Sequence, residues 1–354
     1  MITTTSHDAP ERANDDAHDA RRAQLTDWIA SVVPGVGFTL APASADASFR
    51  RYFRATFATR TLIVMDAPPP QEDCRPFVDV ARRLRDAGVN APEVHAEDLS
   101  RGFLLLSDLG SRTYLSALDP TSAKTLYRDA LVALIKMQAD ASVDGLKPYD
   151  RAIQQRELDL FPDWYVAKHC NVVWTDEQKS LWKEGCGALL GNTLSQPTAF
   201  VHRDYHSRNL MVCDAGAGNP GVLDFQDALD GPLTYDLVSL LKDAYIRWDE
   251  EFVLDQVVRY WDAARRAQLP VDPDFGAFYR DFEWMGVQRQ LKVLGIFARL
   301  CHRDGKSAYL ADMPRVADGV IAACKRYGQL HAFVPLLESV GLIERSAERV
   351  TDSF

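Results

Sequence analysis

No apolar run in this chain of 354 residues approaches the roughly 20 residues that a helix needs to cross a bilayer, so no membrane span is expected. The opening twenty residues are rich in Asp, Thr and Ala and lack the apolar segment of a signal peptide, which leaves residues 1–20 as an expected disordered tail. Six cysteines are present, Cys74, Cys170, Cys186, Cys213, Cys301 and Cys324, without a C-x-x-C pair among them. The neighbours His169-Cys170 and Cys301-His302 would diverge on a helix, so reduced, mostly buried thiols in a cytoplasmic protein are expected rather than a metal site. Positive charge is also in deficit. A formal net charge of −10 argues against a nucleic-acid backbone as partner, and any phosphate site must be local. Internal repeats, low-complexity stretches beyond the amino-terminal tail and long flexible linkers are missing too, and nothing points to an obligate protein partner.

What is present is a chain long enough for two domains, with 47% hydrophobic residues to fill their cores. Its character changes near residue 110. Before that point the pattern predicts strands over Ser48–Phe57, Thr61–Met65 and Phe103–Ser107, with one helix over Arg75–Ala87 that carries Phe77, Val80, Ala81 and Leu84 at helical spacing and stops at Gly88. After Gly110 the chain reads as helical. Thr121 is the expected cap of a first helix, and further helices are predicted over Thr175–Leu190, Tyr235–Arg247, Glu251–Ala267, Phe275–Cys301 and Pro314–Tyr327. The expected domains are residues 21–106, a small sheet lobe, and residues 107–354, a helical lobe.

Residues 202 to 209 read His-Arg-Asp-Tyr-His-Ser-Arg-Asn, and Leu223-Asp224-Phe225 follows a short loop later. Each group comes directly after an apolar run, Ala199-Phe200-Val201 or Gly221-Val222-Leu223, as buried strands delivering polar groups at their ends would arrange. The spacing is that of kinase-type phosphoryl transfer. Asp204 would accept a proton from a substrate hydroxyl, Asn209 would return its amide oxygen to the same site as a magnesium ligand, and Asp224 would hold the metal that bridges the phosphates of ATP. ATP and Mg2+ are thus the expected cofactors. Leu106–Gly110 is the expected connection between lobes, with Leu106, Asp108 and Leu109 placed to meet the nucleotide.

Gly-Phe-Leu-Leu-Leu-Ser-Asp-Leu-Gly at 102–110, the loop at 202–209 and Leu-Asp-Phe-Gln-Asp at 223–227 resemble the aminoglycoside phosphotransferase and choline kinase superfamily, over about residues 40–300. The resemblance implies an α+β, two-lobed protein-kinase-like fold, with a small antiparallel sheet and one helix in the first lobe and a mostly helical second lobe. It also implies that Asp236, in Tyr235-Asp236-Leu237, hydrogen-bonds the catalytic loop. Within the superfamily, Asp46–Arg54, Ile63–Pro68, Glu72–Phe77, Glu157–Pro162 and Trp284–Arg289 are similar to bacterial anomeric sugar kinases. That likeness implies phosphorylation of N-acetylmuramate or N-acetylglucosamine at the 1-position during cell-wall recycling.

One departure stands out. The strand that should carry a phosphate-gripping lysine reads Leu62-Ile-Val-Met65, and the helix from Arg75 has no glutamate to partner one. Arg50, Arg51 and Arg54 follow the expected phosphate loop Ser44–Ser48, with Ser48 a nucleotide contact, and an arginine fork suits phosphate oxygens. Either one of them replaces the lysine, with Arg50 nearest the loop, or all are exposed or paired with carboxylates such as Asp66 and Asp79. The missing pair also keeps open a nucleotide-binding regulator without chemistry. For the acceptor, His206, Asp227, Trp284, Gln288 and Arg289 are the candidates, with Glu157, Asp163 and Trp164 a weaker cluster. A cationic acceptor such as an aminoglycoside or choline would call for carboxylates, whereas an acid-bearing sugar would call for a cation.

Overall fold

A computed structural model describes residues 9–45, 50–213 and 218–351. It divides into two compact units, Met1–Arg82 with Ala91–Gly110, and Arg83–Asn90 with Ser111–Phe354. The second segment of the first unit ends at Gly110, where the lobes were expected to divide after residue 106. Ser48 and most of the expected phosphate loop lie outside the described residues.

The first unit contains α1 (Ala9–Val32), β1 (Phe38–Ala45), β2 (Arg51–Phe57), β3 (Thr61–Asp66), α2 (Arg75–Asp86, whose last turn counts with the second unit), β4 (Val94–Asp98) and β5 (Phe103–Ser107). The strands pair antiparallel in the order β1-β2-β3-β5-β4. Because strand side chains alternate between faces, Phe53, Ala55 and Phe57 join Leu62, Val64, Phe103 and Leu105 on one side, where Leu25, Trp28 and Ile29 of α1 complete a core. Trp28 and Phe103 stack with ring centres 5.6 Å apart. The turn into β5 depends on Gly102, whose φ is +72°; a Cβ there would stand 1.9 Å from the Ala67 carbonyl oxygen.

Three of these elements were not expected. The strands β1 and β4 sit at the sheet's edges, where Pro42 and the run Glu97-Asp98 are tolerated but blur the alternating pattern. Helix α1 takes in residues 9–20, assigned above to a tail, and is anchored by the apolar side chains from Leu25 onward; residues 1–8 lie outside the described residues.

The second unit begins with α3 (Tyr114–Ala117), α4 (Ala123–Asp140) and α5 (Arg151–Leu160), which continues as a π-helical stretch, Phe161–His169, before α6 (Asp176–Thr193). Four short strands follow: β6 (Thr198–Val201), β7 (Leu210–Met211), β8 (Gly221–Val222) and β9 (Leu229–Pro232), paired β6 with β9 and β7 with β8. Then come α7 (Tyr235–Leu241), α8 (Glu250–Arg266), α9 (Phe275–Asp304), α10 (Met313–Arg326), α11 (Val334–Ser339) and α12 (Leu342–Thr351). The long α9 runs through the centre, with Trp284, Val287, Leu291, Leu294 and Ala298 packed among Phe161, Trp182, Ile321 and Phe333. Thr121 is not a cap: α4 starts at Ala123, and Thr121 instead donates its hydroxyl to Asp119. Helix α7 also stops six residues early. At Asp243 the chain leaves the helix so that this carboxylate accepts from the Ser207 and Tyr245 amides.

Candidate active site

Strand β6 ends at Val201, and the start of the loop that follows is fastened to α7. Asp236, in the first turn of α7, accepts hydrogen bonds from the His202 amide at 2.6 Å and the Arg203 amide at 3.0 Å. The Asp204 amide donates to His202 Nδ1 at 3.2 Å, and Ser239 Oγ donates to the Arg203 carbonyl at 3.2 Å. Asn209 closes the loop by donating Nδ2 to the Asp204 carbonyl at 3.0 Å, and again to Asp224 Oδ2 at 3.2 Å. Asp204, Asn209 and Asp224, 20 residues apart in sequence at the extremes, therefore lie at one place. With both amide hydrogens of Asn209 engaged, its Oδ1 is left to accept. Asp224 is exposed at φ +65°, a left-handed conformation that non-glycine residues rarely hold, and its Oδ1 accepts from Gln226 Nε2 at 2.9 Å. The oxygen-only set, Asn209 and the exposed Asp224 carboxylate, fits a magnesium ion, which takes one or two protein ligands and completes its shell with water and phosphate.

The electrostatics favour an ionised Asp204. Burial alone would raise its pKa, but the positive field of Lys292, His206 and Arg289 holds it below the usual carboxylate range. Arg289 Nη2 stands 3.9 Å from Asp204 Oδ1, with Arg289 only 5% and Asp204 43% exposed. Burial pushes His206 down, against the pull of Asp243 and Asp204. Its ring meets Tyr245 edge-on, with centres 5.5 Å apart, and its Nδ1 has no hydrogen-bond partner among the described residues. The Arg289 Nε is likewise buried without a partner there.

The remaining expected residues distribute unevenly. Trp284 is in the hydrophobic core, edge-on to Tyr327, and Gln288 is fully buried and donates to the Gln154 carbonyl at 3.1 Å. Both depart from their expected place as acceptor contacts: the middle of α9 is enclosed on nearly every side, so helical spacing does not reveal which side meets a ligand. Arg289 alone of the three comes near Asp204. Asp227 is exposed on the turn after Asp224. Glu157, in the weaker cluster, is instead buried and accepts from Arg203, Lys292 and Tyr149. Lys292 carried one sequence signal that went unread, a lone charge inside the apolar run Leu291-Lys292-Val293-Leu294.

In the first unit Arg50, Arg51 and Arg54 each have a carboxylate partner. Arg50 pairs with Glu72 at 3.0 Å, just ahead of α2, and Arg54 grips Asp108 with two bonds of 2.6 and 3.1 Å. Arg51 turns to the α1 side of the sheet, where it shares Asp66 with Arg21. Burial opposes ionisation of Asp108, yet Arg54, Thr61 and the Gly110 amide bring its pKa down. Leu106 is buried and Leu109 half-buried.

An antiparallel sheet unit, a helical unit and an Asp-Asn-Asp constellation on strand ends define a kinase-like phosphotransferase with a hydroxyl acceptor. Residues 39–269 match the model of the phosphotransferase enzyme family (APH), and the chain belongs to this family. Its relatives include a protein of Pseudomonas aeruginosa, 51% identical over 91% of this chain and 97% of its own, named N-acetylmuramate/N-acetylglucosamine kinase. A protein of the same name from Neisseria meningitidis is 48% identical over 91% of this chain and 96% of its own. Among solved structures, a choline kinase from Streptococcus pneumoniae superposes with a TM-score of 0.61 over 85% of this chain and 99% of its own, at 13% identity. A putative aminoglycoside phosphotransferase from Ralstonia eutropha gives 0.57 over 85% and 97%, at 17%. These two likenesses concern the fold.

Proposed function

We propose that this enzyme transfers the γ-phosphate of ATP to the anomeric hydroxyl of N-acetylmuramate or N-acetylglucosamine, releasing the sugar 1-phosphate, as a cytoplasmic step in peptidoglycan recycling. The acceptor class rests on the names of relatives at about half identity. The observation within this chain that supports an acid-bearing acceptor is Arg289. A buried guanidinium with an unpaired Nε beside Asp204 is costly unless a ligand completes it, and the carboxylate of N-acetylmuramate would do so. The same cations, Arg289 and Lys292, would repel choline or an aminoglycoside.

In this reading Asp204 orients the anomeric hydroxyl and takes its proton. An anomeric hydroxyl is more acidic than an ordinary alcohol, so a carboxylate of low pKa is an adequate base, and the loose transition state puts most of the burden on positioning. His206 and Asp227 would meet acceptor hydroxyls. Asn209 Oδ1 and Asp224 would hold Mg2+, which when bound neutralises charge on the β- and γ-phosphates. Asp236 keeps the loop in place. In the first unit, Leu106, Asp108 and Leu109 are the proposed adenine-side contacts, with Ser48 in the phosphate loop. Arg50, backed by Glu72, is the proposed substitute for the missing lysine, and Arg51, already shared with Asp66, is the weaker alternative.

The test is ADP release from Mg-ATP with N-acetylmuramate, N-acetylglucosamine, glucose, choline and kanamycin, with the product identified by phosphorus NMR. The N-acetyl sugars alone should react, and Asp204→Asn should lower kcat at least about a hundredfold. Arg289→Met should raise KM for N-acetylmuramate about tenfold or more while leaving N-acetylglucosamine within about threefold, because only the former has an anion to lose. Reaction with choline or kanamycin in place of the sugars would overturn the assignment.

A further inference from the structure

Beneath the Asp204 loop lies a charged cluster that the reaction as described does not use. Glu157, near the end of α5, accepts from Arg203 Nη2 at 2.5 Å, from Tyr149 Oη at 2.5 Å and from Lys292 Nζ at 3.1 Å. Lys292, on α9, also donates to Tyr235 Oη at 3.0 Å. Glu157, Lys292, Tyr149 and Tyr235 are all buried. We propose that Glu157 and Lys292 are positioning residues for phosphoryl transfer, holding Arg203, and through it Asp204, in the conformation that aims the carboxylate at the acceptor. This rests on the reading of Asp204 as the base.

Arg203 has φ +78°, a left-handed conformation that is unfavourable for a residue with a Cβ and persists only where its surroundings enforce it. Asp236 holds its amide and Ser239 its carbonyl, both from α7, while Glu157 holds its guanidinium from a different helix. Since Asp204 is the next residue, rotation at Arg203 redirects the Asp204 carboxylate. Charge adds a second constraint. Arg203 and Lys292 bring two cations to the cluster and Glu157 one carboxylate, so one positive charge remains to face Asp204. Neutralising Glu157 would leave two, drawing the Asp204 carboxylate toward them and away from the acceptor.

Substrate contact is not part of this role, so kcat and KM separate it from alternatives. Glu157→Gln should lower kcat by about tenfold to a hundredfold, with KM for ATP and for the sugar within about threefold of wild type. Lys292→Met should behave in the same way, and Lys292→Arg, which keeps the charge, should recover most of the loss. Tyr149→Phe removes one hydroxyl and should give a smaller fall in kcat. ADP binding and thermal melting verify that each variant is folded; if Glu157→Gln does not fold, Tyr149→Phe and the Lys292 pair decide. Wild-type kcat in the folded variants overturns the proposal, as does a loss that falls on KM for the sugar, which would make Glu157 a direct contact. Equal loss in Lys292→Arg and Lys292→Met likewise overturns the charge argument. Asp204→Asn run in parallel separates the two readings, because full activity there removes the base assignment itself.

Discussion

His202 is fully buried between the strand that delivers the catalytic loop and Phe225, and burial takes its pKa down to about 4. The neutral ring accepts the Asp204 amide at Nδ1, which protonation would abolish. A histidine depressed from its usual value near 6.5 makes the folded state bind fewer protons than the unfolded chain between about pH 6.5 and 4, so its contribution to stability is present above that window and lost as pH falls through it. Asp236, pushed up to about 7 by burial, slopes the other way, since its protonated form favours folding below that pH. The difference between wild type and His202→Gln isolates the histidine: the stability gap should change by roughly 3 kcal/mol between pH 7 and pH 4, read from urea unfolding at each pH. A constant gap would mean that His202 does not titrate as its burial requires. At this scale the sequence was legible where spacing is local. Asp204, Asn209 and Asp224 meet because two short strands and a tight loop leave them little freedom. Arg289 and Lys292, by contrast, reach the same place from a helix that starts more than 50 residues after Asp224, and no local spacing records that.

Helix α9 shows both what an element reveals and what it hides. Its extent, Phe275–Asp304, lies within three residues of the periodic pattern, because so long an apolar repeat has few alternatives. Which neighbour meets which face was not readable, and Trp284 and Gln288 went to the core for that reason. Gly295 marks the closest approach: a Cβ there would lie 2.4 Å from the Leu160 carbonyl carbon and 2.5 Å from its oxygen, both backbone atoms that cannot swing aside. Gly295→Ala should therefore destabilise the enzyme by about 2 kcal/mol or more despite the better helix propensity of alanine, measured as a lower urea midpoint with unchanged slope. An unchanged midpoint would show that α5 and α9 can part at no cost. The edge strands β1 and β4 escaped notice for the opposite reason, since one-sided pairing and solvent contact let proline and acidic residues interrupt their alternation.

Among the described residues, each unit has a core cluster of its own, one around Trp28 and Phe103 in the first and one around α9 in the second. Trp28→Ala should remove about 3–5 kcal/mol from the first core and broaden or split the calorimetric unfolding transition, with the higher-temperature component unmoved. A single transition shifted as a whole would mean that the units unfold together. The sequence by itself determined the reaction class and the placing of Asp204, Asn209 and Asp224 at strand ends, because each depends on residues close along the chain. Tertiary structure decided which charges are spent on structure. It committed Arg51 to Asp66 and Arg54 to Asp108, buried Glu157 between Arg203 and Lys292, and left Arg289 beside Asp204 with an open donor. Those outcomes follow from the cost of burying an unpaired charge, and only the packed chain determines which partners lie within reach.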